Sequence, residues 1–416
     1  MAFVEQYSFL MMISMPVLGC LLVLMVPDKF LNPVMVVLLS LQVIITSIKN
    51  PLSGNVGIGD YLILNQPQDD LPLWLVPVLM IYALVNSWRD GYWTKQNCIA
   101  YLMLNIAVLG LFMSFDLFTM AHFLVLAGIS IGISKVEDTE QRLARLQIIL
   151  FYLASLLLLA IDNGNLTKVI ALFIIGGFLP FHTWLFKAAK LPFPLLLILL
   201  LLIPIAVVIG MNAWVGPEFS NMLSVYPWLA WPGFLGFLYF ALLALASKDL
   251  KKTITLFLLS QGSWAVSFLI ISGVDHFSKL IYFVVVEALL FSVMYSLANY
   301  LENRTGSTNV NFHSGLFYKM PKWSFLLISS MLISLIFPVI IPINLLETPY
   351  AKWNDLMYII WLILCLQVII WTIQRMILGK IWLRDQPEIV LKDLTVQESL
   401  TVAPFLILTL IILLVF

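Results

Sequence analysis

Charged residues are scarce in this chain. Lysine, arginine, aspartate and glutamate make up 11% of its 416 residues, whereas a soluble protein carries roughly a quarter. Hydrophobic residues make up 62%, so a fold in water would expose more apolar surface than solubility allows. The composition therefore excludes a soluble globular protein and predicts a polytopic membrane protein.

Several kinds of chemical site are also missing from the sequence. Three cysteines, Cys20, Cys98 and Cys365, lie in or beside apolar runs without ligand spacing or a disulfide pattern, so we interpret them as packing residues. The sequence has no phosphate-binding loop, nucleophile elbow or metal-ligand cluster. The 22 basic and 22 acidic residues balance, which gives no reason to expect a nucleic-acid partner. We expect no cofactor, no metal and no catalytic chemistry of the chain's own.

What the sequence does have is long apolar runs. A transmembrane helix needs about 20 apolar residues, and the runs predict fourteen such helices. Their centres lie near residues 17, 39, 80, 106, 125, 152, 176, 205, 237, 263, 288, 333, 366 and 407. The first run follows no basic leader, so we expect it to stay as a span. The segment 49–72 has turn residues around a short apolar stretch and predicts a small hairpin on the outer face.

The distribution of basic residues predicts the orientation of these helices. If the amino terminus lies outside, the odd-numbered loops and adjoining helix ends are cytoplasmic and hold eighteen of the 22 basic residues. The remaining four are Lys49, Lys168, Lys279 and Lys352. We therefore expect both termini on the non-cytoplasmic side.

Two predicted spans contain helix-breaking residues. Span seven carries Gly176, Gly177 and Pro180, and span twelve carries Pro338 and Pro342. Because proline removes a backbone donor and clashes with the preceding turn, we expect each span to be kinked or broken. Interrupted helices at matching places in two halves indicate a transporter built from an internal repeat. The alternative is that membrane helices simply tolerate proline.

Five stretches of the sequence resemble motifs of one protein family. The most specific are "FLPFHTWLFKAAKLPFP" (178–194) and "ASKDLKKTITLFLLSQGS" (246–263). Further matches are "EALLFSVMYSLANYLENRTGS" (287–307), the stretch 314–347 and, more loosely, 57–79. These resemble the antiporter-like, proton-translocating subunits of respiratory complex I, a family shared with Mrp antiporters, membrane-bound hydrogenases and inorganic-carbon uptake complexes.

The resemblance implies an architecture and a setting. It implies an all-α fold of about 14 transmembrane helices, forming a single domain over residues 1–416. Inverted-repeat halves would span about 98–214 and 227–376, with helices 1–3 and 14 at the periphery and helices 7 and 12 broken. The chain would be a non-redox subunit of a translocase of the NADH:quinone oxidoreductase type, in a bacterial cytoplasmic membrane. Its partners would be other subunits, the lipid bilayer, and protons or sodium ions.

This sequence departs from the family where the family keeps charges in the membrane. An apolar residue near Val125 stands where helix five has a glutamate, and Ile175 stands where helix seven has a lysine. The helix-eight stretch "LLLILLLLIPIAVVIG" has no ionisable residue. In helix eleven, Glu287 replaces a lysine. The amino-terminal half therefore lacks most of the expected ion path.

Four ionisable residues remain as candidates for an ion pathway: His122, His182, Glu287 and Glu347. His122 either substitutes for the missing glutamate or is a hydrogen-bonded interior histidine. By resemblance, His182 lies at the cytoplasmic end of the broken seventh helix. Glu287 is either a relay carboxylate or a structural group that is neutral or paired with another subunit. Glu347 matches a helix-twelve glutamate, or is solvated near the outer face.

A further pair lies in a loop motif. Asp249 and Lys251 match the family's "D-L-K" motif, and a loop ion pair explains them equally well. Two functions follow from the whole pattern. One is a subunit that translocates protons or sodium within a complex-I-like assembly. The other is a scaffolding subunit that keeps the fold but has a degenerate, non-conducting path.

Overall fold

The fold is known from a computed structural model. It describes residues 2–48, 56–58, 61–63, 70–88, 91–113, 117–136, 138–160, 165–199, 231–272, 277–310, 315–343, 351–378 and 392–415. By its internal contacts the chain divides into two compact units, Met1–Ser224 and Val225–Phe416. We call them the amino-terminal and the carboxyl-terminal unit.

The described part of the amino-terminal unit is helical apart from one hairpin. Its helices are α1 (Ala2–Met25), α2 (Leu31–Ile48), α3 (Asp70–Asn86), α4 (Lys95–Met113), α5 (Leu117–Ile133), α6 (Thr139–Ala160), α7 (Asn165–Gly176), α8 (Thr183–Ala188) and α9 (Phe193–Leu197). The hairpin pairs β1 (Val56–Ile58) with β2 (Tyr61–Ile63) in antiparallel register. The hairpin predicted from its turn residues is therefore confirmed.

The carboxyl-terminal unit is helical throughout its described residues. Its helices are α10 (Trp231–Ala246), α11 (Leu250–Ser272), α12 (Phe277–Thr305), α13 (Leu316–Lys319), α14 (Pro321–Ile343), α15 (Ala351–Thr372) and α16 (Val396–Val415). α15 ends in a π-helical turn over Ile373–Ile377. Helices α11, α14 and α16 all pack against α12, which makes α12 the central helix of this unit.

The chain is an all-α polytopic membrane protein, as its composition predicts. Thirteen of the fourteen predicted span centres fall within described helices, and the one near residue 205 lies outside the described residues. Within the described ranges, five helices are long and apolar enough to cross a membrane by length and composition alone, and seven shorter helices are also apolar.

Contacts inside the amino-terminal unit place its odd-numbered loops together. The Lys95 Nζ donates to the Leu24 carbonyl at the end of α1 over 3.2 Å. The neighbouring Gln96 Nε2 donates to the Ile133 carbonyl at the end of α5 over 2.7 Å. Since these residues belong to the first, third and fifth loops, the structure confirms that the loops alternate between two ends.

The carboxyl-terminal unit shows the same alternation. The carboxylate of Asp393, before α16, accepts the backbone N–H groups of Lys322 and Trp323 in the first turn of α14, over 3.0 and 3.2 Å. Arg304, at the end of α12, pairs with Glu398 over 2.5 Å. The eleventh and thirteenth loops therefore lie together at one end of this unit.

The predicted break in span twelve is not found. α14 continues through Pro338 and Pro342 to Ile343, so neither proline ends the helix. A proline inside a membrane helix removes a single N–H donor, and a helix packed against neighbours tolerates that loss. The adjoining candidate Glu347 lies outside the described residues.

Candidate functional site

Among the described residues, the most deeply buried carboxylate lies on the central helix α12. Between Phe283 and Thr305, 94% of its candidate span is buried inside the protein. Glu287 lies about 15 Å along the helix from Phe277 at a rise of 1.5 Å per residue. The hydrocarbon core of a bilayer is about 30 Å thick. Glu287 therefore lies within the membrane-spanning part of the helix, away from both ends.

Glu287 is enclosed by protein. Its side chain is 3% exposed. Among the residues that the structure describes, neither carboxylate oxygen has a hydrogen-bond partner. A buried acceptor pair without donors is costly, so this carboxylate requires a proton, a water molecule or an ion.

The neighbouring helix α11 runs antiparallel to α12, and three side-chain contacts fix their register. The Thr255 and Tyr295 hydroxyls are 2.8 Å apart. The Phe257 and Phe291 ring centroids lie 5.7 Å apart, and those of Trp264 and Phe283 lie 5.2 Å apart. The partner number on α12 falls as the number on α11 rises. This register places Glu287 opposite the stretch of α11 between Phe257 and Trp264.

Gln261 lies in that stretch of α11. Its side chain is fully buried, and neither its amide oxygen nor its amide nitrogen has a hydrogen-bond partner in the part of the chain described. The sequence shows it as a lone amide in the apolar run "TLFLLSQGSWAV", which is the signal that predicts a polar site. The site residues predicted from the sequence did not include Gln261, because they were limited to ionisable side chains.

A hydrogen-bonded cluster lies beside Gln261. The Ser260 hydroxyl donates to the Phe237 carbonyl of α10 over 2.9 Å, and the Trp361 indole N–H of α15 donates to the Ser260 oxygen over 2.9 Å. Trp361 also stacks on Trp264, with centroids 5.3 Å apart. This cluster ties α10, α11 and α15 together, and its polar atoms are satisfied.

The break in span seven is present, and glycine causes it. The helix α7 ends at Gly176, and Gly177 follows in the left-handed conformation with φ of 67°. The Phe178 N–H donates to the Phe173 carbonyl over 3.0 Å, and the Gly177 N–H donates to the Ile174 carbonyl over 3.3 Å. This is a Schellman motif, and the Phe173–Phe178 ring contact is its usual apolar companion. The helix has ended before Pro180 is reached.

His182 follows the break at the amino-terminal end of α8. Its side chain is 8% exposed and its ring packs edge-on against Phe186, with centroids 5.2 Å apart. The peptide bond before Pro180 is cis. The Trp184 indole N–H donates to the Ile174 carbonyl over 2.9 Å, which ties α8 to the end of α7. His182 therefore sits in a fixed, largely buried corner of the amino-terminal unit.

His122 does not lie in the interior of this chain. It is exposed on α5, on the same face as Val125, Ile129 and Ile133, of which Val125 is 44% exposed. The interpretation of His122 as an interior histidine is therefore wrong. The position near Val125, where the family has a glutamate, lies on this outer face too.

Ile175 is fully buried in α7, so the position of the family's lysine is filled by an apolar core residue. Among the side chains of the amino-terminal unit whose burial the structure describes, no aspartate, glutamate, lysine or arginine is buried. The helix-eight stretch lies outside the described residues after Leu199.

The loop residues Asp249 and Lys251 are bound to α12 and the segment after it. The Asp249 carboxylate accepts the Lys252 N–H over 2.9 Å, which caps α11, and it also accepts the Thr308 hydroxyl. Lys251 pairs with Glu302. An ion pair therefore does account for Lys251, but its partner is Glu302 on α12.

The structure brings the candidate residues together only in part. Glu287 joins the newly identified Gln261 at the α11–α12 interface. His122 and His182 belong to the other unit, and Asp249 and Lys251 lie at a helix end. Within the described residues, no group of three or more histidine, cysteine, aspartate or glutamate side chains is arranged to hold a metal ion.

Comparison with known proteins places the fold. No family model matches the sequence, and no curated protein matches it. Among solved structures, a chain of the Mrp complex from Dietzia sp. superposes with a TM-score of 0.75 at 14% identity, covering 90% of this chain and 80% of that one. A chain of the membrane-bound sulfane sulfur reductase, an archaeal respiratory membrane complex, superposes with a TM-score of 0.72 at 15% identity, covering 98% of this chain and 94% of that one.

These matches confirm the predicted resemblance at the level of the fold. Both extend over nearly all of this chain, so the shared architecture includes both units. The chain shares its fold with chains of these two membrane complexes.

Proposed function

We propose that this chain is the proton-translocating membrane subunit of a complex-I-related assembly, with Glu287 as the group that carries the proton. The observation that carries the proposal is the burial of the Glu287 carboxylate on α12, without a hydrogen-bond partner in the described part of the chain. Ionisable groups at membrane depth are expensive to keep and are typical of ion routes.

The chemistry favours a proton over a metal cation. An ionised carboxylate at this depth costs several kcal/mol unless it is paired. Protonation removes that cost at once, and a proton needs no further ligand. The proposed cycle has Glu287 neutral while it is closed off from water, and ionised when water reaches it from one side. A sodium ion would need additional oxygen ligands around the same carboxylate.

The comparisons support the proposed setting. The two similar chains belong to multi-subunit membrane complexes, one of them named as respiratory. We propose that this chain is likewise one subunit of a membrane complex, in which partner subunits supply the driving reaction. The inverted repeat, with halves at about 98–214 and 227–376, is part of this proposal. The location in a bacterial cytoplasmic membrane, which the resemblance implies, is also part of this proposal. So is the location of both termini outside, which rests on the basic residues of the odd-numbered loops.

A scaffolding function is the second candidate, and the amino-terminal unit favours it. Ile175 fills the position of the family's lysine with an apolar side chain, and the Val125 position faces outward. Under this alternative the whole chain holds partner subunits in place, and Glu287 stays permanently protonated.

The test is proton uptake by the assembled complex after Glu287→Gln. Glutamine keeps the size and hydrogen bonding of the protonated acid but cannot release a proton. Flux should fall by about a hundredfold, the lower range for losing a proton-transfer group. Glu302→Gln is the matched control, because Glu302 lies on the same helix but pairs with Lys251 at its end.

The control variant should leave flux within about twofold, because the partly buried Lys251–Glu302 pair lies at the helix end and an ion pair near the surface contributes little. Full assembly with undiminished flux in Glu287→Gln would contradict proton translocation at Glu287 and favour the scaffolding function.

A further inference from the structure

Gln261 and Glu287 occupy equivalent places on two facing helix surfaces. On α11, Phe257, Gln261 and Trp264 follow the spacing i, i+4, i+7 and share one face. On α12, Phe283, Glu287 and Phe291 follow i, i+4, i+8 and also share one face.

The two polar side chains are enclosed between aromatic contacts. Phe257 meets Phe291 on one side, with centroids 5.7 Å apart. Trp264 meets Phe283 on the other side, with centroids 5.2 Å apart. Because both outer pairs are in contact, the residues between them face each other across the interface.

Gln261 and Glu287 do not bond each other directly. All four of their side-chain oxygen and nitrogen atoms lack a hydrogen-bond partner within the described residues. No hydrogen bond therefore joins the two side chains, although both are at least nine-tenths buried. A buried water molecule requires two to four polar partners, and these atoms supply them.

We propose that Gln261 is the positioning residue for Glu287, and that the two side chains hold one water molecule between the aromatic pairs. This assignment rests on the proposed proton transfer at Glu287 for its functional consequence. In the neutral state the Glu287 O–H donates to the water oxygen, and the Gln261 amide oxygen accepts a water O–H. On transfer the Glu287 O–H bond breaks, its electron pair stays on the carboxylate, and a new O–H bond forms on the water. This water passes one of its other protons to the water that reaches the site from one side of the membrane, so it ends the step neutral.

The amide has a property that an apolar residue lacks. It accepts through its oxygen and donates through its nitrogen, so it stabilises the water in both protonation states of Glu287. A leucine at this position would fill a similar volume and leave the water with fewer partners. The adjacent Ser260 serves packing, since its hydroxyl is fully engaged with Phe237 and Trp361.

The experiment is infrared difference spectroscopy on the assembled complex, combined with proton uptake. The carboxyl C=O band of Glu287 is the band that disappears in Glu287→Gln. In Gln261→Leu this band should move to higher frequency, because its hydrogen bonding weakens, and flux should fall about tenfold, part of the full effect of a proton-transfer group. A water O–H band sensitive to oxygen-18 water should be lost in both variants.

Two further variants make the comparison specific. Gln261→Asn keeps the amide with a shorter reach and should restore part of the band position and of the flux. Thr255→Val removes a hydrogen bond across the same helix pair but away from Glu287, and should leave the Glu287 band in place. If Gln261→Leu fails to assemble, the position of the band in Gln261→Asn decides the question.

The outcomes separate the two proposals. If Glu287→Gln abolishes flux while Gln261→Leu changes neither band nor flux, the positioning role is overturned and proton translocation stands. If Glu287→Gln leaves flux intact, proton translocation fails, while the band shift in Gln261→Leu still tests the shared water. A band shift in the unmodified complex that depends on sodium ions, with choline as the control, would replace the water by a cation and overturn the assignment.

Discussion

The buried glutamines Gln42 and Gln261, one in each unit, differ in their hydrogen bonding. In the amino-terminal unit, Gln42 of α2 and Asn105 of α4 bond each other reciprocally, over 2.7 and 3.4 Å. Asn97 is likewise engaged, donating to the Tyr92 carbonyl over 2.7 Å. In the carboxyl-terminal unit, the Gln261 side chain faces Glu287 and has no hydrogen-bond partner among the described residues. Paired amides fix one packing of helices, whereas amides with open bonding capacity indicate a place for a ligand.

The units differ in the same way in buried charge. The described core of the amino-terminal unit holds neutral polar groups and His182, and the described core of the carboxyl-terminal unit holds the carboxylate of Glu287. Both units are therefore folded helical bundles, but we propose ion-carrying chemistry for only one of them. Breaking this contrast requires placing a charge where the amino-terminal unit has none.

The largest effect is expected from Ile175→Lys. Ile175 is fully buried, and a lysine there would be a buried charge without a partner. We expect a loss of about 3–5 kcal/mol in the free energy of unfolding, typical of an uncompensated buried charge. Thermal unfolding and the yield of assembled complex measure it. Ile175→Met, which conserves volume, should cost less than about 1.5 kcal/mol.

The opposite result would overturn the comparison. A stable Ile175→Lys variant with increased proton flux would mean that the amino-terminal unit still has a route that needs only its lysine.

The intermediate effect compares the two glutamines. Gln42→Leu leaves the Asn105 amide buried without its partner, which should cost about 1–3 kcal/mol of unfolding free energy. The double variant Gln42→Leu with Asn105→Leu should recover most of that loss. Gln261→Leu should cost less than Gln42→Leu, because the amide gives up only its bond to the proposed shared water and none to a described side chain. Denaturant titration in detergent measures all three.

A loss of stability in Gln261→Leu as large as that in Gln42→Leu would show that the amide is bonded within the protein. It would then belong with Gln42 as a packing residue, and the contrast between the units would disappear.

The architecture could be predicted from the sequence because each span is recognised from its own length and apolar composition. About 20 apolar residues are needed to cross the bilayer, so thirteen span centres could be placed without knowledge of packing. Lysine and arginine predict the orientation of the spans, and contacts such as Gln96 with Ile133 show that the third and fifth loops lie at one end of the amino-terminal unit. The hairpin at Val56–Ile63 followed from turn residues.

Whether an individual residue lies on the inner or the outer side of a membrane helix could not be predicted in the same way. Lipid is as apolar as a protein core, so hydrophobic patterning does not separate the inside of a membrane helix from its outside. The sequence therefore did not show that His122, predicted to be either a substitute for the missing glutamate or an interior histidine, lies on an exposed face. Span seven was assigned a break at proline, whereas Gly177 ends the helix first.

Two signals in the sequence were readable but local. The stretch Thr395–Glu398 has the spacing of a capping box, and the structure shows both of its bonds: the Thr395 N–H donates to the Glu398 carboxylate over 2.7 Å, and the Glu398 N–H donates to the Thr395 hydroxyl over 3.2 Å. Gln261 was visible as a single amide in an apolar run. Its importance appeared only when the α11–α12 register placed it opposite Glu287.

The smallest effect concerns the ion pairs at the helix ends, which again differ between the units. In the carboxyl-terminal unit Arg304 pairs with Glu398 over 2.5 Å, with side chains 18% and 25% exposed. In the amino-terminal unit Lys190 pairs with Glu140 over the same distance, with side chains 46% and 64% exposed.

Arg304→Met should cost about 1–2 kcal/mol of unfolding free energy, because a partly buried charged hydrogen bond is lost. Lys190→Met should stay within about 0.5 kcal/mol, as solvent screens the exposed pair. Raising the salt concentration should reduce the small Lys190 effect first, since exposed pairs are screened more strongly. Equal losses in the two variants, measured by the same denaturant titration, would mean that the ends of the two units are held with similar strength and that their difference is confined to the membrane interior.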